Sequence, residues 1–129
     1  MIKQLTILIL SCLLCFSVSG QNQEVNQIGS ALKQGNAEEL AFHLAPTVSI
    51  GLNRVEKTYS RPQAQQVLQA FFDKNRVTDF VYRHSGKSEH KDQFNVGTLT
   101  TEKGIYRITY FLIQAPKGNK IKRLRIEQK

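Results

Sequence analysis

The segment GIYRITYFLI, residues 104–113, constrains the fold more than any other part of the chain. As a β-strand it would point alternate side chains to opposite faces, and both faces would carry large apolar groups. The even face is made by Tyr106, Ile108, Tyr110 and Leu112. The odd face is made by Ile105, Arg107, Thr109, Phe111 and Ile113. Each face therefore needs a cover, and the nature of the two covers decides whether the protein has a pocket, a partner or only a core.

The chain begins with a short apolar run in the stretch MIKQLTILILSCLLCFSVSGQ. The run is too short to cross a bilayer as a helix, and Val18 and Gly20 stand at the positions that signal peptidase favours. We therefore expect residues 1–20 to be a secretory signal peptide. An exported chain, periplasmic or secreted, would then begin at Gln21. A lipoprotein anchored at Cys12 is a minor alternative, because the apolar stretch before it is very short.

Residues 21–129 are long enough for one domain with its own core and too short for two. Both cysteines precede this segment, so no disulfide is expected in it, and no stretch within it is predicted to be a transmembrane helix. The whole chain has a formal net charge of +8 at pH 7, and six cations lie in residues 117–129. Such a cluster suits an anionic partner, but we favour a solubilising strand edge, and export argues against nucleic acid.

The first half of the domain shows a helical pattern broken by one hairpin. Residues 24–34 have helical apolar spacing and end at Gly35, and a second helix begins at an Asn36 capping box and is expected to end at Pro46. Two alternating runs, 48–52 and 55–59, predict a hairpin. A third helix follows from Ser60, and its buried stripe consists of Ala64, Val67, Leu68, Phe71 and Phe72.

The second half is typical of an antiparallel meander, with strands predicted over 78–86, 93–101, 105–113 and 120–127. A three-residue loop that ends in a left-handed Gly104 would pair Thr101 with Ile105. This register puts Phe94, Val96 and Thr98 with the even face of residues 104–113. It puts Asn95, Gly97 and Leu99 with the odd face. We expect the even face to receive the helices because it is the more apolar one.

The order of these elements resembles the cone-shaped α+β fold of the nuclear-transport-factor-2-like, or cystatin-like, superfamily. More narrowly, residues 21–129 resemble a domain-of-unknown-function family of small secreted proteins from Bacteroidetes. The stretches that carry this resemblance are AEELAFHL, YSRPQAQQVLQAFFDKN, VGTLTTEKGIYRITYFL and RLRIE. The resemblance implies three N-terminal helices packed on a curved antiparallel sheet, and the family has no known catalytic motif to carry over.

Folds of this shape can hold a ligand between helices and sheet, and five aromatic residues are candidate walls for a small apolar or amphipathic ligand. These candidates are Phe42, Phe71, Phe72, Tyr106 and Tyr110. The alternative is that all five simply fill the core, as aromatic residues at core spacing commonly do. Buried tyrosine hydroxyls keep the pocket hypothesis open, because each of them needs a hydrogen-bond partner.

Catalytic chemistry has weaker support. If Phe80 and Tyr82 point inward, His84 shares their face and is the one obvious candidate base. The alternative function is therefore a small isomerase- or hydrolase-type enzyme that uses His84 with Tyr106 or Tyr110. The three histidines are widely separated along the chain, so we expect no metal site, and no motif indicates a cofactor.

The odd face of residues 104–113 predicts a homodimer through the outer surface of the sheet. Its candidate contact residues are Leu99, Ile105, Arg107, Phe111 and Ile113. The alternative cover is supplied by long Lys and Arg stems or by the chain's own terminus. The leading hypothesis is an exported, non-catalytic binding or accessory domain that holds a small ligand or a protein partner.

Overall fold

The computed structural model describes residues 20–90 and 92–129. The expected signal peptide lies outside the described residues except for Gly20, so export and cleavage stay predictions. In chain order the elements are α1 (Gly20–Gln34), α2 (Ala37–Phe42), β1 (Leu44–Leu52), β2 (Val55–Ser60), α3 (Arg61–Lys74), β3 (Val77–Lys87), β4 (Gln93–Thr101), β5 (Gly104–Ile113) and β6 (Lys120–Gln128). Within this part of the chain, no helix is both long and apolar enough to cross a membrane.

The strands form one six-stranded sheet in the order β2-β1-β6-β5-β4-β3. Neighbouring strands are antiparallel except β1 and β6, which run parallel and bring the first strand beside the last. The α+β class and a curved sheet are confirmed. The expectation of a wholly antiparallel sheet is wrong for this central pair, because a long connection lets β6 return beside β1 in the same direction.

The helix boundaries follow the local signals in the sequence. Gly35 ends α1 in a left-handed conformation with φ +61°, which costs glycine no steric energy. The side chain of Asn36 then accepts a hydrogen bond from the backbone N–H of Glu39 at 3.1 Å. At the start of α3, Ser60 and Gln63 form the complete capping box, with both reciprocal hydrogen bonds present. The predicted caps are confirmed, except that at Asn36 the second bond of the capping box is not formed, because its backbone N–H donates to the carbonyl oxygen of Ala31 at 2.9 Å.

The second helix is shorter than the sequence predicts. It ends at Phe42, and β1 begins at Leu44 and includes Pro46. Proline is tolerated here because the β1–β2 ladder starts only at Thr47, and the β1–β6 register is irregular between Leu44 and Ser49. Pro46 therefore does not interrupt a regular ladder, where its missing N–H would be costly.

One continuous core lies between the helices and the inner face of the sheet. The four apolar even residues of β5, Tyr106, Ile108, Tyr110 and Leu112, are all buried in it, as the sequence predicts. Helix α1 contributes Ile28 and Leu32, α2 contributes Leu40, and α3 contributes Leu68 and Phe72. These side chains recur at helical spacing, so one stripe of each helix is apolar and packs on the sheet.

The register between β4 and β5 differs from the predicted one by a single residue. Thr101 pairs with Gly104, and Leu99 therefore lies opposite Tyr106. The hydroxyl of Thr101 accepts from the N–H of Lys103 at 3.2 Å and donates to the carbonyl of Gly104 at 2.8 Å, which holds a two-residue turn. A slip of one residue moves every side chain of a strand to the other face.

This register corrects the assignment of β4. Leu99 is fully buried on the inner face and does not belong to the outer surface where the sequence places it. Phe94, Val96 and Thr98 pair with odd residues of β5 and lie outside. Asn95 is buried inside, and its Nδ2 has no hydrogen-bond partner among the described residues. The three-residue loop that the sequence suggests gives the wrong register, because the turn contains only two residues, Glu102 and Lys103.

The two registers make opposite predictions for a pair of substitutions in β4. Leu99→Ala should lower the free energy of unfolding by about 2–5 kcal/mol, because it leaves a cavity in the core. Val96→Ala, on the half-buried outer face, should cost less than about 1 kcal/mol. Urea unfolding of both variants measures the difference. A larger cost for Val96→Ala would contradict the observed register.

Candidate functional site

The predicted pocket walls on the inner face are packed against one another. The ring of Phe71 contacts those of Phe72 and Tyr106 edge to face, with centroid distances of 5.7 and 5.1 Å. Phe72, Tyr106 and Tyr110 are all buried in the main core cluster. Four surface depressions have volumes of about 250–430 Å³, and none of the four is lined by these aromatic residues. Phe71, Phe72, Tyr106 and Tyr110 therefore pack within or against the hydrophobic core and line none of these depressions.

The hydroxyls of the two neighbouring tyrosines Tyr82 and Tyr110 have partners within the protein. Tyr82 donates to the carbonyl oxygen of Val25 at 2.7 Å, and the Tyr110 hydroxyl lies 2.7 Å from that of Tyr82. Since the proton of Tyr82 is used for Val25, Tyr110 is the donor of the second bond. Burial raises the pKa of Tyr82 to about 12 and also raises the pKa of Tyr110. Both groups stay neutral at physiological pH.

The third inner hydroxyl belongs to a separate network. Tyr106 donates to Oδ1 of Asn75 at 3.1 Å, and Nδ2 of Asn75 donates to the carbonyl oxygen of Phe71 at 3.0 Å. This network attaches the end of α3 to the sheet, as the Tyr82 network attaches α1. The hydroxyls of Tyr82, Tyr106 and Tyr110 are thus satisfied without a ligand.

Phe42 is not a pocket wall. It is 69% exposed at the end of α2, because Ala37, Leu40 and Ala41 occupy the buried side of this short helix. Its ring lies 4.8 Å from Nζ of Lys120 in a cation–π contact.

His84 lies on the outer face of the sheet, because the β3–β4 register shifts between Tyr82 and His84. A bulge of this kind lets two consecutive side chains, Arg83 and His84, share one face. The imidazole contacts the ring of Phe94 edge to face at 5.8 Å. Tyr106 and Tyr110 point to the inner face, so the geometry does not assemble the predicted catalytic pair.

The other histidines suggest no metal chemistry. His43 is buried. Its pKa is lowered mainly by this burial and to a smaller extent by the positive charge of Lys120. In residues 20–90 and 92–129, no group of three or more His, Cys, Asp or Glu side chains is placed to hold a metal ion.

An aromatic and charged row crosses the outer face, and we call it the outer row. Its members, one from each of five strands, are His84, Phe94, Phe111, Arg123 and Glu56. Phe94 and Phe111 are paired across β4 and β5 with centroids 6.1 Å apart, and the Arg123 guanidinium lies 5.7 Å from the Phe111 ring. Glu56 accepts two hydrogen bonds from Arg123, at 2.5 and 3.0 Å, and these bonds lower the pKa of its carboxyl.

Beside the outer row lies an open depression of about 430 Å³, which we call the cationic depression. It is lined by Arg83, His84, Val96, Gly97, Thr98, Arg107, Thr109 and Lys129. The hydroxyl of Thr98 accepts from Nε of Arg83 at 3.1 Å and from Nζ of Lys129 at 3.3 Å. Three cationic side chains from β3, β5 and the end of the chain therefore meet around one strand position.

The odd residues of β5 remain on the outer face, as the sequence predicts. Ile105 is 46% exposed and Arg107 is exposed, whereas Phe111 and Ile113 are half-buried. The sequence did not predict the contribution of Phe94, Val96 and Arg83 to this face. A register offset by one residue hid the first two, and no local signal marks the bulge that turns His84 outward beside Arg83.

Comparison with known proteins gives one matching family and several similar structures. The sequence profile of DUF4783, described as a domain of unknown function, matches residues 25–127. A DUF4783 protein from Bacteroides fragilis is 32% identical, with a TM-score of 0.75 over 80% of this chain and 96% of that chain. One from Bacteroides ovatus is 28% identical, with a TM-score of 0.76 over 80% and 93%. Among curated proteins, none matches the chain.

A more distant structure supports the fold alone. It is a domain of unknown function from Nostoc punctiforme whose fold is described as cystatin-like. The two chains are 13% identical, with a TM-score of 0.66 over 88% of this chain and 80% of that chain. The resemblance to cystatin-like folds seen in the sequence is therefore confirmed at the level of architecture.

The direction of the tyrosine hydrogen bonds predicts unequal costs for two conservative substitutions. Tyr82→Phe removes the donor to Val25 and leaves the buried Tyr110 hydroxyl without its acceptor, so it should cost about 1–3 kcal/mol of unfolding free energy. Tyr110→Phe leaves the bond to Val25 intact and should cost only about 0.5–1.5 kcal/mol. Urea unfolding compares the two variants. Equal costs, or a larger one for Tyr110→Phe, would contradict the assigned directions.

Proposed function

This chain belongs to the DUF4783 family, and from its outer sheet face we infer that it is an exported, non-catalytic domain that binds a protein partner. The observation that carries this proposal is the outer row, in which Phe94 and Phe111 are packed together yet partly open to water. Aromatic residues and arginine are the types enriched at the centres of protein interfaces. The outer row offers both types on a sheet face that no other described element covers.

The interior supports this proposal over a small-ligand pocket. Tyr82 donates to Val25, Tyr110 donates to Tyr82 and Tyr106 donates to Asn75. A ligand would have to replace bonds that already exist. The same geometry disfavours the enzyme alternative, because His84 is separated from Tyr106 and Tyr110 by the sheet. A binding role needs neither an enclosed cavity nor a positioned base.

The charges of the outer face favour an acidic partner over a second copy. Glu56 and Glu127 are engaged with Arg123 and Arg125 on the same face. A symmetric pairing centred on the cationic depression would bring like charges together, which opposes association. A homodimer is the second candidate, favoured by the exposure of Ile105 on the same outer face.

Photo-crosslinking from position 105 tests the proposed interface in cells that express the full chain. With benzoylphenylalanine at this position, we expect a discrete adduct with a second protein. Phe111→Lys should abolish the adduct, because it places a charge in the aromatic centre of the outer row. Gln66→Lys adds the same charge at an exposed position of helix α3 and should leave the adduct unchanged.

The adduct's identity decides between the candidates. An adduct with the mass of two copies of this chain would show that the outer face forms a homodimer, and it would contradict the proposal of an acidic partner. The absence of any adduct, or an identical adduct from a crosslinker at position 66, would overturn binding through the outer face. Circular dichroism of Phe111→Lys checks that the variant is folded.

We also propose that residues 1–20 direct export. The apolar run and the small residues at positions 18 and 20 support this assignment. Intact-mass analysis of the exported protein should give a chain that begins at Gln21. An exported chain that retains Met1, or one with a lipid on Cys12, would contradict the assignment.

A further inference from the structure

We propose that the cationic depression is a carboxylate-binding site for an acidic segment of the partner protein. The proposal rests on the proposed function and specifies the chemistry that the partner presents. It assigns the main contacts to Arg83, Arg107 and Thr98, with Lys129 as an additional cation. The outer row alone would bind apolar groups, whereas this adjacent site selects for negative charge.

Thr98 organises the floor of the depression. Its residue is buried, and its hydroxyl oxygen accepts hydrogen bonds from both Arg83 and Lys129. A hydroxyl has two acceptor positions and one donor, so these two bonds leave its proton free to donate to a bound anion. The same bonds hold the two cationic side chains in place, which reduces the entropy that ligand binding must overcome.

The cations of the depression are free of direct ion pairs within the described residues. Arg83, Arg107 and Lys129 form no ion pair there, although Glu127 lies opposite Arg107 on β6. The carboxylate of Glu127 pairs instead with Arg125 at 3.5 Å. A ligand carboxylate would thus meet cations that have no carboxylate of their own to release.

The spacing of the two arginines suits an extended peptide. Arg83 is on β3 and Arg107 on β5, two strand spacings or about 10 Å apart at the backbone. Alternate residues of an extended chain point to the same side and are about 7 Å apart. The arginine side chains of this protein and the glutamate side chains of the peptide are long enough to make up the difference between these two spacings. Each guanidinium can hold one carboxylate through two parallel hydrogen bonds.

The walls favour a peptide over a phosphate-rich surface. Val96 lines the depression, and Phe94 follows it on the same face of β4 toward the outer row. The line from Val96 to Phe94 runs along β4, across the line that joins the two arginines. A segment that bends at a glycine after its acidic residues would therefore place an apolar side chain on Val96 and Phe94. A free phosphate or a lipid headgroup would use the cations but leave these apolar groups in water.

The test is fluorescence anisotropy with a labelled peptide, Gly-Glu-Gly-Glu-Gly-Leu-Gly, and the purified chain. Arg107→Gln and Arg83→Gln should each raise the dissociation constant about tenfold or more. Lys57→Gln removes the same charge from exposed strand β2 at the far side of the sheet and should change it less than about twofold. A peptide with Gln in place of both Glu residues should not bind.

Several outcomes would overturn the proposal. An equal loss in Lys57→Gln would assign the binding to net charge alone. Displacement of the peptide by inorganic phosphate, but not by acetate at the same ionic strength, would make this a general oxyanion site. Arg107-dependent binding to phosphatidylglycerol vesicles without binding to the peptide would make it a membrane contact. Unchanged peptide affinity in Arg107→Gln would show that the peptide does not bind at the cationic depression.

The crosslinking experiment separates this proposal from the one it rests on. If the adduct from position 105 forms but the acidic peptide does not bind, partner binding stands and carboxylate recognition fails. If the peptide binds in an Arg107-dependent way but no adduct forms, the proposed protein partner fails and with it the acidic segment as occupant.

Discussion

The pairing of β4 with β5, with Leu99 opposite Tyr106, is the contact on which the rest of the structure depends. It delivers Leu99 to the core and turns Phe94 and Val96 to the outer surface. On the other side of β4, the pairing with β3 brings Gly97 beneath the ring of Phe80, where a side chain on Gly97 would stand 2.4 Å from the ring. The glycine is required because the aromatic ring occupies the space of its missing side chain.

Two hydrogen-bond networks then close the interior. Tyr82 and Tyr110 connect the sheet to the backbone of α1, and Tyr106 connects it through Asn75 to the end of α3. The tyrosine rings fill the core. Because a buried hydroxyl is costly when it is unpaired, their hydrogen bonds also favour one position of each helix on the sheet. The aromatic residues of the inner face are therefore used for packing, and the proposed binding surface is the outer face of the sheet.

On that face, apolar and charged groups are segregated. The outer row stacks aromatic rings with an arginine that Glu56 already neutralises, whereas the neighbouring depression collects cations without a carboxylate partner. Packed aromatic contacts supply affinity, and unneutralised charge supplies orientation and selectivity. The proposed partner would therefore present an apolar group next to an acidic one.

The sequence by itself determined the elements whose signals are local. Gly35, Asn36 and the Ser60–Gln63 box mark helix ends through hydrogen bonds between residues close in the chain, and the alternation in β5 identifies its inner face. Only the tertiary structure decided the β4–β5 register, the bulge at His84 and the parallel pairing of β1 with β6. A one-residue slip leaves every local preference unchanged while exchanging the faces of a strand. The energy that selects the register comes from contacts between segments distant in sequence, so most of the candidate site became visible only in the folded chain.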